Sequence, residues 1–421
     1  MEKVIFHIDV NSAFLSWEAC YRVCVLGEKQ DLRDIPSAVG GNVKMRHGII
    51  LAKSTPAKKF GIRTGDTIGD ALKLCPNLVT VAPHYDLYES CSAAFIEILR
   101  EFSPCVEPYS IDEAYMDMTG TIGLYGSPIA IAHIVKNKIR DELGFTVNVG
   151  ISTNKLLAKM AGDFQKPDLV HTLFPKDIEK KMWPLPVNDL LFVGHATKRK
   201  LFNLGIRTIY DLANTDLNII KAHFGKVGEV LYAFANGIDV SVVADGAPAN
   251  KGYGNSTVIP FDVDRADVAR MILLSLSETV TARLRKDNVM ATVVAVSVVD
   301  FQFHGASHQM TLFGPTNTTN VIHKAACRLF EELWDGMTPV RNLGIHTSKI
   351  VPATPEYQMN MFDMERYEKL SRMDNTADKI RDRYGKDSLR RAVFINNSIY
   401  HMSGGISPVK KRPEYGVNIL E

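Results

Sequence analysis

The sequence predicts a multidomain α+β protein. The chain has 421 residues, more than one hydrophobic core usually serves, and 46% of its residues are hydrophobic, enough for several cores. Between residues 251 and 351, strand and helix patterns follow in the order strand, helix, strand, strand, helix, strand. This order is the split βαβ arrangement, which forms a compact domain by itself.

Charge, cysteine content and hydropathy limit the possible classes of protein. The formal net charge of +2 is nearly neutral and indicates no particular partner. The six cysteines include no C-x-x-C pair and are too few for a disulfide framework, which favours reduced thiols. The N-terminus lacks the apolar core of a signal peptide, and no apolar run is long enough to span a bilayer. We therefore expect a soluble, cytoplasmic protein with no membrane partner.

The elements before the split βαβ segment follow from local patterns. The predicted elements are a strand at 3–8, helices at Ser12–Cys24, Tyr85–Phe102 and Pro128–Leu143, and a strand at Phe145–Ile151. Short helical pieces with Gly turns fill residues 175–245, and the run ADGAPANKG is typical of a linker.

The elements from residue 251 onward follow from the same patterns. The predicted elements are strands at 252–260, 290–303, 308–313 and 341–351, and helices at Asp264–Lys286 and Asn317–Trp334. The residues that follow are polar and loosely patterned, with one helix predicted near Asn375–Arg391.

Two adjacent acids, Asp112 and Glu113, lie within the run PYSIDEAYMD. The extended segments on either side, 106–109 and 114–118, can pair as a hairpin if the residues between them form the turn. Adjacent side chains at a hairpin tip are freed from strict alternation, so both acids would lie there. Asp9 ends the first predicted strand, from which its carboxylate could join the same cluster.

A cluster of carboxylates is a possible metal site. Like charges raise one another's pKa, so an ionised cluster needs a cation beside it. Oxygen ligands alone suit Mg²⁺ and not zinc. Three carboxylates around two Mg²⁺ ions would perform in-line phosphoryl transfer. The alternative is that Asp9 and Asp112 form turns and Glu113 is solvated.

Three segments could bind phosphate groups. The first, between residues 44 and 63, has side chains that could grip a triphosphate: Thr55, Lys58, Lys59 and Arg63. In the second, Lys155 and Lys159 are four residues apart and share one helix face. The third is predicted as helix, Gly turn, helix, a motif that aims backbone N–H groups at a phosphate. Its residues are Gly194 in the turn, Gly205 at the end of the second helix, and the basic run Lys198, Arg199 and Lys200. An ordinary solvated polar surface is the alternative for each.

Five motifs occur in the order and spacing of a known family. They are HIDVNSAF at 7–14, KSTPAKKFGIRTG at 53–65, ALKLCPNL at 71–78, YSIDEAYMD at 109–117 and GISTNKLLAKMAGDFQKP at 150–167. On these motifs the chain resembles the Y-family, or translesion, DNA polymerases. The DVN run is more similar to the UmuC branch, whereas KKFGIRTG and ALKLCPNL are more similar to the DinB branch, so the branch stays open.

The resemblance implies a right-hand polymerase fold. A mixed-sheet palm would comprise residues 1–12 and 82–172, and small fingers would comprise 13–81. A helical thumb with the helix-hairpin-helix would comprise 173–245. The split βαβ domain would be the family's little finger, at 251–352, and a C-terminal tail would follow at 353–421.

The resemblance also implies roles for single residues. Asp9, Asp112 and Glu113 would be catalytic and bind two Mg²⁺ ions, and the Val10 carbonyl would complete one of the two sites. The nucleotide-binding residues would be Val10, Phe14 against the sugar, and Thr55, Lys58 and Lys159 against the triphosphate. The DNA-binding residues of the thumb would be Gly194, Lys198, Arg199 and Lys200. The family usually has a tyrosine in place of Thr55 and an arginine in place of Lys58, so bidentate geometry is lost here.

The tail contains one further motif. The run from Gln358 through Met359 and Met361 to Phe362 is similar to the peptide by which bacterial polymerases of this kind dock on the sliding clamp. Apolar residues in a polar tail with no core to join favour docking on a partner over the end of a loosely packed strand.

The predicted function is template-directed DNA synthesis of the translesion type, a process of DNA repair and mutagenesis after DNA damage. The partners would be primer-template DNA, deoxynucleoside triphosphates and a sliding clamp. One alternative is another palm-domain nucleotidyl transferase, such as a nucleotide cyclase, although a cyclase needs no domains that cradle a duplex. Another is a catalytically weak DNA-binding factor recruited by the clamp, which the intact acids argue against.

Overall fold

The computed structural model describes residues 2–41, 48–244, 250–353, 364–395 and 399–402. Residues 2–41 and 49–244 belong to one compact unit, and the described residues from 250 onward belong to a second. Among all these residues, no helix is both long enough and apolar enough to cross a membrane.

The first unit is built around a five-stranded sheet. In chain order its strands are β1 (Ile5–Val10), β5 (Val106–Pro108), β6 (Glu113–Asp117), β7 (Val147–Ser152) and β8 (Val170–Thr172). Their order in the sheet is β5-β6-β1-β7-β8. β1 is antiparallel to both neighbours and buried at every position, so the strand that ends in Asp9 and Val10 lies at the centre of the core.

Helices pack against this sheet. They are α1 (Ala13–Cys24), α4 (Tyr85–Phe102), the short α5 (Ile122–Tyr125), α6 (Pro128–Leu143) and α7 (Lys155–Gly162). The core between the helices and the sheet contains large side chains such as Phe6, Trp17 and Phe95. The helices predicted at 85–102 and 128–143 are confirmed at both ends, and α1 begins one residue after the predicted start.

A small second sheet follows α1. Its strands are β2 (Ser37–Gly40), β3 (Ile50–Lys53) and β4 (Val79–Val81), and the helices beside it are α2 (Thr55–Lys58) and α3 (Ile68–Leu74). Ala38, Ile50, Ile62 and Leu78 belong to its separate core. The Ser54 hydroxyl accepts a hydrogen bond from the Ala57 N–H at 3.1 Å and caps α2.

The rest of the first unit is helical. It contains α8 (His195–Asn203), α9 (Ile209–Ala213), α10 (Leu217–Phe224) and α11 (Lys226–Ala235). The helix predicted directly before Gly194 is wrong, because residues 190–193 form a loop and the segment just before that loop is a single 3-10 turn, Val187–Asp189. Phe192 in this loop has φ +70°, which an α-helix does not allow. Gly194 caps α8, and Gly205, with φ +81°, follows its end as predicted.

The second unit has the predicted split βαβ order. Its elements are β9 (Gly252–Val263), α12 (Ala266–Lys286), β10 (Val289–Asp300), β11 (Gly305–Thr316), α13 (Thr319–Leu333) and β12 (Val340–Pro352). The sheet order is β11-β10-β12-β9, and every pair is antiparallel. Valines and leucines from the sheet and both helices fill one core.

The tail helix is longer and lies earlier than predicted. α14 spans Met364–Tyr384, so the predicted range of 375–391 was wrong at both ends. Gly385 ends the helix with φ +94°, a stop signal that the prediction overlooked. Arg381, on α14, donates to the buried carboxylate of Glu278 on α12 at 2.6 Å, and Arg391 contacts the same carboxylate. These ion pairs attach the tail to the second unit.

Candidate active site

Two adjoining strands bring Asp9 and Glu113 together. β1 and β6 are antiparallel, and the Cα atoms of Asp9 and Glu113 are register partners. Directly opposed residues project their side chains to the same face of a sheet. The Val10 N–H donates to the Asp112 carbonyl at 3.0 Å, so Asp112 lies just beyond this last pair.

The prediction that both acids occupy the hairpin tip was half wrong. β5 and β6 do form an antiparallel hairpin, and Asp112 lies in its turn. Glu113, however, is the first residue of β6, because its backbone pairs with Asp9 on one side. On the other side its carbonyl accepts hydrogen bonds from the N–H groups of Tyr109 and Ser110, at 2.9 and 3.1 Å.

The Asp9 carboxylate has a lysine partner. Asp9 is only 7% exposed, and the Lys166 ammonium contacts its Oδ2 while lying 2.9 Å from Asp163 Oδ1. Burial raises the pKa of Asp9, and the charge of Lys166 offsets part of that rise. Burial also opposes the charge of Lys166, but Asp9 outweighs it and raises the pKa of the ammonium. The contact with Lys166 therefore favours the ionised form of Asp9 against the effect of burial.

Glu113 is bound by two donors. The Lys159 ammonium lies 2.5 Å and His7 Nε2 lies 3.1 Å from Glu113 Oε2. Burial opposes ionisation of Glu113, but the hydrogen bonds from His7 and Lys159 outweigh it and lower its pKa to about 2. A carboxylate with this pKa is ionised throughout the physiological range.

Close packing of α7 on β7 lets Lys159 reach the sheet. A Cβ atom added at Gly150 on β7 would lie 1.9 Å from the Ala158 carbonyl and 2.4 Å from the Gly162 nitrogen. Only glycine fits at such a distance between backbones. α7 therefore lies directly on the strand, with Lys159 beside Glu113 and Lys155 bound to Glu107 at 2.7 Å.

The three acids offer only oxygen donors. No three His, Cys, Asp or Glu side chains within the described ranges are arranged as a ready metal site. Each acid has a protein partner: Lys166 for Asp9, Ser110 for Asp112 and Lys159 for Glu113. Carboxylate oxygens suit a hard cation such as Mg²⁺, which would compete with Lys166 for Asp9 and with Lys159 for Glu113.

Two of the predicted nucleotide-binding residues, Phe14 and Lys58, lie near the start of α1. Phe14 is half-buried on its first turn. Lys58 Nζ lies 3.4 Å from the hydroxyl of Ser12, so α2 reaches the end of β1. Thr55, the first residue of α2, is exposed. The structure thus brings Phe14 and Lys58 to the same end of the sheet as the acids.

The predicted thumb residues lie around the start of α8. Gly194 is exposed, and a Cβ there would meet no atom within 4 Å, so its backbone is accessible. Arg199 and Lys200 are exposed, whereas the Lys198 ammonium lies 5.2 Å above the Phe202 ring. A cavity of about 310 Å³ separates this loop from α7, and its lining includes Lys159, Asp163, Asp189, Phe192 and Gly194.

Some site residues could not be assessed or were missed. Gln358, Met359, Met361 and Phe362, the predicted clamp peptide, lie outside the described residues. Sequence reasoning missed His7 and Lys166, which contact Glu113 and Asp9. The signal for His7 was its position two residues before Asp9, on the same face of the strand. The signal for Lys166 was its place at the end of a recognised motif.

Family models match most of the chain. The model of the impB/mucB/samB family matches residues 8–163, and the model of that family's C-terminal domain matches residues 250–361. A model described as the thumb domain of DNA polymerase-iota matches residues 188–239. The matched regions include the acids, the α8 turn and the split βαβ segment.

Curated relatives match over nearly their full length. A protein of Clostridium acetobutylicum named DNA polymerase IV is 43% identical over 94% of this chain and 99% of its own. The chain belongs to the DNA polymerase IV group of the Y-family. A DNA polymerase IV of Acetivibrio thermocellus is 36% identical over 94% of this chain and 98% of its own. The branch that sequence motifs left open is therefore the DinB-like one.

Solved structures show the same fold. A Y-family DNA polymerase chimera superposes with a TM-score of 0.72, at 22% identity, over 83% of this chain and 99% of its own. At that identity the likeness concerns the fold, and it confirms the predicted α+β polymerase architecture for this Y-family member.

Proposed function

We propose that this Y-family protein is a template-directed DNA polymerase of the translesion type. It adds deoxynucleotides to a primer 3′ end opposite damaged or undamaged template. The observation that carries the proposal is the junction of β1 and β6, where Asp9 is the register partner of Glu113 and the Val10 N–H donates to the Asp112 carbonyl. Relatives named DNA polymerase IV, matched over nearly their whole length, support the same activity.

The reaction is an in-line displacement at phosphorus. The primer 3′-hydroxyl attacks the α-phosphate of the incoming nucleotide, and pyrophosphate leaves without a covalent enzyme intermediate. The carboxylates of Asp9, Asp112 and Glu113, with the Val10 carbonyl, would bind two Mg²⁺ ions. Two such ions would activate the hydroxyl and neutralise charge on the leaving phosphates.

The triphosphate is bound by cations on two helices. Lys159, on α7, contacts Glu113, and Lys58, on α2, lies near the Ser12 hydroxyl that follows β1. Their ammonium groups would bind phosphate oxygens as point charges, and the exposed hydroxyl of Thr55 would donate beside them. Phe14 would lie against the sugar, where a flat ring leaves no room for a 2′-hydroxyl.

The duplex is bound without recognition of its sequence. Gly194 at the start of α8 exposes backbone N–H groups to a phosphate, and Lys198, Arg199 and Lys200 add positive charge. In the tail, Gln358, Met359, Met361 and Phe362 would dock on a sliding clamp. Because the substrates are DNA and deoxynucleotides, we place the protein in the cytoplasm, in keeping with six cysteines that form no disulfide.

Primer extension tests the proposal directly. A labelled primer is annealed to an undamaged template and to one with an abasic site, and is incubated with protein, Mg²⁺ and four deoxynucleotides. We expect template-dependent extension on both and none with EDTA. Release of pyrophosphate without any primer would instead indicate a cyclase or another nucleotidyl transferase. DNA binding without extension would indicate a binding factor.

A further inference from the structure

Glu18 has a buried carboxylate and lies one helical turn after Phe14, the residue proposed to face the sugar of the incoming nucleotide. Glu18, on α1, is completely buried and accepts hydrogen bonds from three groups. Arg22 Nε lies 2.8 Å from Oε1, while His84 Nδ1 and the Tyr88 hydroxyl lie 3.0 and 3.2 Å from Oε2. His84 and Tyr88 belong to the start of α4, so this carboxylate joins α1 to α4.

The ring of Tyr88, which is bonded to Glu18, stacks on the ring of Phe14. The two ring centroids are 4.7 Å apart and the planes differ by 13°. Trp17 lies 5.9 Å from both rings, and Tyr85 meets Phe14 edge-on at 6.3 Å. Tyr88 is wholly buried whereas Phe14 is half-buried, so one face of the Phe14 ring is covered and part of the ring stays accessible.

The stacking of Tyr88 on Phe14 requires neither the Tyr88 hydroxyl nor the Glu18 carboxylate. A phenylalanine at position 88 would stack on Phe14 as well, and a buried carboxylate is costly unless several donors compensate it. What the hydrogen bond from Tyr88 to Glu18 adds is direction, because it fixes the ring of Tyr88 against a carboxylate that Arg22 and His84 also orient. A ring that excludes one hydroxyl group by contact must be placed within a fraction of an ångström.

We propose that Glu18 and Tyr88 are positioning residues that set the discrimination between deoxynucleotides and ribonucleotides by fixing the ring of Phe14. The proposal rests on the function proposed above, in which Phe14 faces the sugar of the incoming nucleotide. Glu18 acts on Tyr88, and Tyr88 acts on Phe14.

Single-nucleotide insertion measures this discrimination. The full chain is assayed with Mg²⁺ on one primer-template, with dCTP or CTP opposite guanine, and the ratio of kcat/KM for CTP to that for dCTP is compared. Tyr88→Phe, which removes only the oxygen bonded to Glu18, should raise this ratio about fivefold. Phe14→Ala should raise it further.

Three further variants sharpen the comparison. Glu18→Gln should also raise the ratio, and the double variant with Tyr88→Phe should show no more than the larger single effect, because both changes break one chain of contacts. Tyr125→Phe removes the same atom from a ring on α5 that packs on Phe102, and should leave the ratio unchanged. Thermal melting establishes that each variant is folded.

The outcomes separate positioning from a structural role. If Glu18 and Tyr88 only stabilise the core, both efficiencies fall together and the ratio stays constant, which overturns the proposal. An unchanged ratio in Tyr88→Phe beside a raised ratio in Phe14→Ala also overturns it, while the polymerase function stands. If the unsubstituted protein inserts neither nucleotide, the proposed function itself fails.

Discussion

Asp9 and Glu113 are register partners across β1 and β6, and each carboxylate is bound by a lysine from the segment that follows β7. Two acids and two ammonium groups therefore share one end of the sheet. Each ammonium group favours the ionised form of the carboxylate that it contacts.

Asp112, in the hairpin turn, should be required for the chemical step of nucleotide addition and not for DNA binding. Asp112→Ala should lower the rate of primer extension by roughly 10³-fold or more, while affinity for primer-template changes little. Extension on a labelled primer and fluorescence anisotropy of labelled DNA measure the two properties. Asp141→Ala, an exposed acid on α6, is the matched control and should change neither. Substantial extension by Asp112→Ala would contradict the metal-site assignment.

The close approach of α7 to β7 should not tolerate a side chain. Gly150→Ala would drive a Cβ into the Ala158 carbonyl, so we expect a loss of about 3 kcal/mol in unfolding free energy and a displaced Lys159. Primer extension should fall with it. Gly120→Ala is the control, because a Cβ there meets no atom within 4 Å. Denaturant unfolding of both variants decides the matter, and equal stability would argue against the packing described.

Binding of DNA should depend steeply on salt and little on sequence. Arg199 is exposed beside the turn at Gly194, so Arg199→Ala should lower the slope of log affinity against log salt by about one. Arg140→Ala, an exposed residue on α6, is the control and should leave the slope unchanged. Anisotropy titrations on two unrelated primer-templates across a range of salt concentrations measure both effects. A slope unaffected by Arg199→Ala would remove α8 from the DNA interface.

The ion pairs that attach the tail should make the second unit sensitive to acid. Burial opposes ionisation of Glu278, but Arg391 and Arg381 outweigh it and lower its pKa below the usual 4.5. A depressed pKa stabilises the folded state above pH 4.5, and this contribution disappears as the pH falls through the folded-state pKa. Glu278→Gln should therefore cost about 3 kcal/mol near neutral pH, and less below pH 4.5.

Hydrogen exchange in α12 and α14 reports this change, because both helices should lose protection together. Glu331→Gln is the matched control, since its ion pair with Arg270 is half-exposed and contributes little. Equal protection in Glu278→Gln and the unsubstituted protein would show that the tail is attached by other contacts.

The clamp peptide should affect processive synthesis only. Replacing Gln358 and Phe362 with alanine should leave short, distributive extension unchanged but abolish stimulation by the sliding clamp. Asn360→Ala, in the same peptide, should retain the stimulation because it removes neither the glutamine nor the apolar anchors. Stimulation that survives the double substitution would place the docking site elsewhere in the chain.

The sequence by itself determined those helices and strands whose ends are set by neighbouring residues. α6 begins at Pro128 after the capping hydroxyl of Ser127 and ends at Gly144, all of which are visible in the sequence. The strand and helix order of the second unit follows from hydrophobic periodicity in the same way. The identities of the acids also came from the sequence, because the motif that contains them is contiguous.

Only the tertiary structure decided which residues meet. Glu113 is a strand residue and not a turn residue because its register is set by pairing with Asp9, which is remote in the chain. The same holds for His7 and Lys166 at the acids, and for Glu18 behind Phe14. Their roles depend on packing between distant segments, and the free energy of such packing belongs to the whole core. A local signal can mark His7 and Lys166 as candidates, but it does not show which acid each of them contacts.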